Sequence, residues 1–385
     1  MKTYNITRSA LFAIILSTIS SQLSTIFAQG SLTPPGAPAA AMKSLDQVEA
    51  RAPISTVPYI ISVSGSYYLT TNVTATVSNA IVIAVSGITL DLNGFTISST
   101  TATPTGNAIL INGSLRDITI VNGHIRSGVT NNGSGVFSGS GFRNGIYCPG
   151  TSPLSTRISG VSVSGCLGEG MNLTLVAGGS VIVDSCAVQT VGGNGIVASV
   201  ITRSAAADCG SAAIFGDQVS DCRGESVGAG GSSGVYANTV ENCRGLSSSG
   251  SGIRGYVAQN SYGSGITGID AVTSAINCYG IGGSGQGIYT QTANNCYGQS
   301  ASSQGINAQT ANNCYGYSSL NRGISVNVAN GCSGSSGGGS YGIFATSIAS
   351  ACYGTSASGT GLNAYIAIGC TGSSVSYTYH YNMPP

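Results

Sequence analysis

Charge is nearly missing from this sequence. Among 385 residues there are 13 Lys and Arg against 12 Asp and Glu, a net charge of +1. That balance leaves no electrostatic footprint for nucleic acid and no basic run for an anionic membrane. Disorder is excluded from the other side, because 42% of the residues are apolar and unfolded chains combine few apolar residues with high net charge. Trp is absent, charged residues are 6% and Gly occurs 58 times. This composition argues against the two or three ordinary globular domains that the length alone suggests. It points instead to buried or repetitive β structure. Past the N-terminus no apolar segment is long enough to cross a bilayer. There are only 2 His, and no CxxC or Cys/His cluster, so a tetrahedral metal site is not expected.

What is present starts with a leader. Lys2 and Arg8 precede a short apolar stretch, Ala10 to Ile19, and Ala28-Gln29 is a cleavage point. Residues 1–28 read as a secretory signal peptide, which places the protein outside the cell, on its surface or in the periplasm. Residues 29–57 form a Pro/Ala-rich tether, in which MKSLDQVEAR has the composition for two or three helical turns. Strand-like sequence begins at Pro58 and runs to 373. Residues 58–85 are expected to cap the first turn, 145–373 to form regular repeats, and 374–385 to be a tail over the last one.

The repeat is anchored on cysteine. QTANNCYG occurs twice, placing Cys296 and Cys314 18 residues apart. Extended both ways, the series reads Cys166, Cys186, Ser204, Cys222, Cys243, Ser261, Cys278, Cys296, Cys314, Cys332, Cys352, Cys370. Cys148 and Cys209 fall outside it. A second anchor, Gly followed by an aliphatic residue, runs in parallel, as at Gly287-Ile288, Gly305-Ile306 and Gly323-Ile324. A unit this short and this rich in Gly, Ser and Asn does not form packed helices. It holds two short strands and cannot bury a face alone. Stacking copies strand on strand gives a β-solenoid. A hexapeptide pattern fails, because the sixth and twelfth residues after Ile306 are Asn312 and Ser318, so the left-handed form is not indicated.

GITLDLNGFTISST followed by LRDITIVNGHIRSG resembles the right-handed parallel β-helix superfamily typified by pectin and pectate lyases, and the exported bacterial proteins that share its fold. The leader LTPPGAPAAAMKSLDQVEARAPI is similar to segments that follow the signal peptide in some of those proteins. The resemblance covers residues 58–373 and implies an all-β, single-stranded parallel β-helix with rungs of ~18 residues. Its enzymes work with carboxylates. The lyases hold Ca²⁺ with several acidic residues and use Arg or Lys as base, and the hydrolases use a tight group of Asp.

Within such a rung the cysteines face inward as small apolar residues, and most are expected to be unpaired thiols, since parallel stacked side chains hold Cβ atoms too far apart for a disulfide. The next position carries Arg223, Arg244, Tyr262, Tyr279, Tyr297, Tyr315 and Tyr353. These tyrosines are candidates for an exposed strip that stacks on sugar rings, against the plainer reading of cross-strand pairs that steady the sheet. The preceding position repeats Asn at 242, 260, 277, 295 and 313, as stacked amides do. The candidate catalytic cluster is Asp221 and Glu241 with Arg223 and Arg244; Arg203 is expected to pair with Asp221. Glu169 and Glu225 are placed in one column three rungs apart. His124 reads as a surface or hydrogen-bonded residue, and His380 lies in the tail.

The sequence thus predicts an exported β-helix protein that engages glycans or other surface partners along an elongated face, or serves as a rod, without cofactor. The alternative is a polysaccharide lyase or hydrolase acting on acidic polysaccharide, with Ca²⁺ in the lyase case. Rungs of near-minimal length leave little loop sequence to wall a catalytic cleft.

Overall fold

The computed structural model describes residues 50–150, 153–174 and 180–381. The expected signal peptide and most of the tether lie outside them. From Arg51 onward the chain is one compact unit, and among the described residues it contains strands and no helix. Nearly every pairing is parallel and joins one rung to the next. The chain is a parallel β-helix.

The rung from Ile288 to Ser300 illustrates the build. The strand Ile288–Asn294 has two arms, the first pairing Ile288 with Ile306 and the second pairing Thr292–Asn294 with Thr310–Asn312, and past a tight corner Tyr297–Ser300 pairs with Tyr315–Ser318. With the arms counted as a first and second strand and Tyr297–Ser300 as the third, each stacks in parallel on its equivalent in the next rung around one core. The core is narrow. Its columns are Ile288, Ile306 and Ile324 on the first strand and Ala293, Ala311 and Ala329 on the second, all fully buried. The third strand packs so closely on the turn that a Cβ on Gly298 would lie 2.2 Å from the Gly305 carbonyl oxygen. Only glycine fits there.

The tight corner explains two columns at once. Asn295 has φ +53°, and the equivalent Arg203, Asp221, Asn242, Asn260, Asn277 and Asn313 all have φ between +47° and +55°. Asn and Asp tolerate this left-handed region better than other side chains do. The Asn column is therefore first a requirement of the bend. The next residue, the ladder cysteine, turns inward, and its N–H cannot join a sheet ladder. Sulfur or oxygen from the following rung takes it: Cys296 N–H donates to Cys314 Sγ (3.4 Å), Ser204 N–H to Cys222 Sγ (3.4 Å) and Cys186 N–H to Ser204 Oγ (3.1 Å). The Cys296 thiol in turn lies 3.2 Å from the Asn294 carbonyl oxygen and 3.3 Å from that of Ala275. The position asks for a small residue that both accepts and donates, which Cys and Ser meet. All twelve cysteines are buried thiols.

The register corrects the ladder at its start. Ser162 pairs with Ala187, so Val161 and not Cys166 precedes Cys186 in the column. Cys166 pairs with Val191, Val191 with Cys209, and Cys209 with Ser226. These form a second inward column at the end of the third strand, continued by Ser300, Ser318 and Ser336. Cys209 belongs to it. Both columns accept Cys or Ser, so a cysteine anchor cannot tell them apart by spacing. The shift also separates Glu169 from Glu225. Glu169 sits at the turn before the first strand, above Asn194, whereas Glu225 lies within the third strand and pairs with Leu246.

The ends and one loop differ from the expected plan. Among the described residues the ladder begins at Ala52–Ile54, paired with Tyr67–Leu69, ahead of Pro58. Strand Gly65–Leu69 pairs on both sides, so it is an ordinary rung and no cap. The expected tail contributes strand Val375–Tyr381, paired in parallel with Leu362–Ile368 as a last rung. Among the described residues the one antiparallel pairing, Thr130–Asn131 with Phe137–Ser138, is a hairpin that leaves the helix. It lies over the third strands, where Asn131 Nδ2 donates to Asp208 Oδ1 (2.6 Å) and Phe137 packs over Gly192 and Gly210.

Candidate functional site

An open groove of about 740 Å³ follows the tight corner across several rungs. One side is the left-handed column: Arg203, Asp221, Asn242, Asn260 and Asn277. The other is the column just past the buried ladder: Arg223, Arg244, Tyr262 and Tyr279. The second column is continuous in register, Arg223 on Arg244, Arg244 on Tyr262, then Tyr279, Tyr297, Tyr315, Ser333 and Tyr353. Three of the chain's guanidinium groups thus border one groove.

Amides link the rungs on the first side. Asn242 Nδ2 donates to Asp221 Oδ1 (3.2 Å), Asn277 to Asn260 (3.1 Å) and Asn295 to Asn277 (3.3 Å). Arg203 does not pair with Asp221. It reaches back one rung to Asp184 (2.6 Å), which also accepts from Thr202 Oγ1 (2.7 Å). The Thr202 hydroxyl, and then the guanidinium, hold the Asp184 carboxyl below its ordinary range. Arg223 lies 3.7 Å from Glu225, and the Arg244 guanidinium lies over the Tyr262 ring at 5.3 Å.

The tyrosines stack on one another. Ring centroids are 5.4 Å apart for Tyr262 and Tyr279, 4.5 Å for Tyr279 and Tyr297, and 5.0 Å for Tyr297 and Tyr315, with interplanar angles of 12°, 6° and 19°. Each inner ring gives both faces to its neighbours or to Arg244, so the strip turns edges and hydroxyls outward. Tyr353 stands apart from the stack because Ser333 lies between it and Tyr315.

Asp221 lines the groove at the corner, and its N–H donates to the Glu241 carbonyl oxygen (3.1 Å) on the next rung, so the two residues are backbone neighbours. Glu241 ends its strand with an exposed side chain and is not part of the groove lining. Among the described residues no three His, Cys, Asp or Glu side chains converge on a metal position. His124 Nδ1 lies 2.6 Å from Ser162 Oγ on the same sheet.

A second pocket escaped the sequence reading. Arg143, Asn144, Tyr147, Glu169 and Asn172 line a polar cavity of about 340 Å³ at the turn before the first strand. An amide ladder builds it: Asn107 N–H donates to Asn79 Oδ1 (3.0 Å), Asn144 Nδ2 to Asn107 Oδ1 (2.9 Å), Glu169 N–H to Asn144 Oδ1 (2.8 Å) and Asn194 N–H to Glu169 Oε2 (3.2 Å). Glu169 stands where Asn precedes and follows. Burial raises its carboxyl above the ordinary range, against the lowering pull of Asn194, Asn172 and Arg143. The signal in the sequence is an Asn directly before an Ala-Ile or Gly-Ile pair in the early rungs, at Asn79, Asn107, Asn144 and Asn194, with Glu169 in the same place before Gly170-Met171.

No protein-family model matches the chain, and no curated protein does. Among solved structures it is similar to the A-module of a mannuronan C-5 epimerase from Azotobacter vinelandii, at 13% identity over 79% of this chain and 73% of that one, with a TM-score of 0.24.

Proposed function

We propose that this chain is an exported or cell-surface β-helix protein that binds extended acidic glycans along the corner groove without cleaving them. The observation that carries this reading is the alignment of Arg203, Arg223 and Arg244 along one groove in a chain with so few charges. Guanidinium groups suit sugar carboxylates, which they meet with paired N–H donors. The amide ladder and tyrosine hydroxyls add neutral donors and acceptors to sugar hydroxyls. Arg203 and Arg223 have carboxylate neighbours in Asp184 and Glu225, so Arg244, which among the described residues rests on a tyrosine ring and in no ion pair, is the guanidinium most open to a sugar carboxylate. Against catalysis, Asp221 is the single carboxylate in the groove lining. A paired-carboxylate mechanism needs two such groups roughly 5–9.5 Å apart across the sugar.

Binding to a polyuronate panel, measured beside a depolymerisation screen, tests this. Arg223→Ala with Arg244→Ala should weaken retention about tenfold or more, and rising salt should weaken the wild type in the same direction. Release of unsaturated or reducing sugar that disappears in Asp221→Ala would replace the reading with a lyase or hydrolase.

Glu169 favours that second reading. A half-buried carboxyl kept protonatable beside Arg143 and Tyr147 is suited to general acid chemistry. Its weakness is that no second carboxylate lines the pocket. Sugar release abolished by Glu169→Gln, with glycan retention intact, would move the active centre there.

A further inference from the structure

The tyrosine stack has a gap one residue wide. Ser333 follows Tyr315 in register, and Tyr353 follows Ser333. The strands that carry these two tyrosines are two spacings apart, roughly 9–10 Å. Stacked neighbours within the column keep 4.5–5.4 Å between centroids. A ring placed midway in the gap would stand from each wall at about the separation the tyrosines keep from one another. The strand at the gap is low: Ser333 and Ser335 point outward where Tyr315 and Tyr317 stand on one side, and Tyr353 and Thr355 on the other. Neither serine hydroxyl is engaged by another described residue. The bordering rings are the open ones. Tyr315 is 37% and Tyr353 50% exposed, while Tyr262, Tyr279 and Tyr297 are half-buried. No residue of the three strands Tyr315–Ser318, Ser333–Ser336 and Tyr353–Ser356 is charged.

We propose that this slot binds a single neutral pyranose ring between Tyr315 and Tyr353, as a terminal or branching sugar. A pyranose offers two C–H faces to the tyrosine walls, whose π faces are electron-rich. Its rim of hydroxyls meets Ser333 and Ser335 below. An aromatic guest would fill the walls but leave those hydroxyls without partners. The ring plane in the slot lies across the helix axis, so a polymer running along the rungs cannot thread it and only an end or a branch enters. The choice of a sugar rests on the glycan reading above, while the slot is a separate place from the arginine groove.

The test uses the full chain with methyl glucoside, methyl galactoside, methyl mannoside and methyl N-acetylglucosaminide, followed by saturation-transfer NMR and titration. At least one glycoside should bind saturably, and Ser333→Tyr, which completes the stack and fills the slot, should weaken it about tenfold or more. Tyr353→Ala should weaken it as well. Polyuronate retention should be unchanged in Ser333→Tyr. Wild-type affinity in that variant, no binding of any glycoside, or equal competition by phenol would each overturn the slot. Loss of polyuronate binding in the wild type alongside glycoside binding would overturn the groove and leave the slot standing.

Discussion

A single position, the ladder cysteine, shows how little freedom a narrow interior leaves. Cys314 fills a small space and also accepts the N–H of Cys296. Cys314→Ser should keep both roles, as Ser204 and Ser261 do in their rungs, and lower the melting temperature slightly. Cys314→Ala removes the acceptor and leaves a buried N–H unpaired, at a cost of about 1–3 kcal/mol. Thermal unfolding of the two variants should rank them in that order; equal losses would mean that volume alone matters. Denatured protein should titrate for all twelve thiols. The native protein should react slowly, because all twelve thiols are buried away from reagent; for Cys148 and Cys166 burial also raises the thiol, to about 11 and about 12, and thiolates are the reactive form. Glu169 gives a pH test. Its folded pKa is raised, so the folded state holds the proton more tightly. Stability from this group is full below the unfolded pKa near 4.3 and falls as pH rises through the folded value. Glu169→Gln should therefore raise the melting temperature at neutral pH and have little effect in acid.

The tight corner is the element on which each rung turns. Both Asn295→Gly and Asn295→Ala lose an amide of the ladder, but glycine reaches φ +53° without strain, so Asn295→Ala should be the less stable of the two by about 1 kcal/mol. A urea midpoint that falls equally in both would place the cost in the amide and not in the backbone. This corner also marks where the sequence was legible and where it was not. The repeat length, the inward cysteines and the tyrosine column could be read from spacing, because each rung places the same chemistry at the same step. Spacing alone does not separate the roles of Asn, since an amide ladder and a left-handed turn select the same residue. Nor does it place Cys166, as two buried columns select for one small side chain. The Glu169 pocket could not be assembled from sequence. Its walls come from Asn107, Arg143 and Asn172, on rungs whose lengths differ too much for counting to align them.

Across the whole molecule each rung meets only the ones before and after it, so stability is a sum of neighbour terms. Excising residues 297–314 joins Cys296 to Tyr315 in unbroken register. The shortened protein should fold with the same circular dichroism band and a lower melting temperature, whereas removing half that length should abolish folding. Among the described residues the two ends of the helix are unequal. The first strand, Ala52–Ile54, carries Pro53, which has no N–H to offer a further strand. The last described strand, Val375–Tyr381, has no proline and no Lys, Arg, Asp or Glu. Loss of structure under mild stress should start at that end and advance one rung at a time. A protease acting under those conditions would then leave a ladder of fragments with a common N-terminus, stepping by about the mass of one repeat, so that the β-helix could be counted on a gel like the rings of a cut stem.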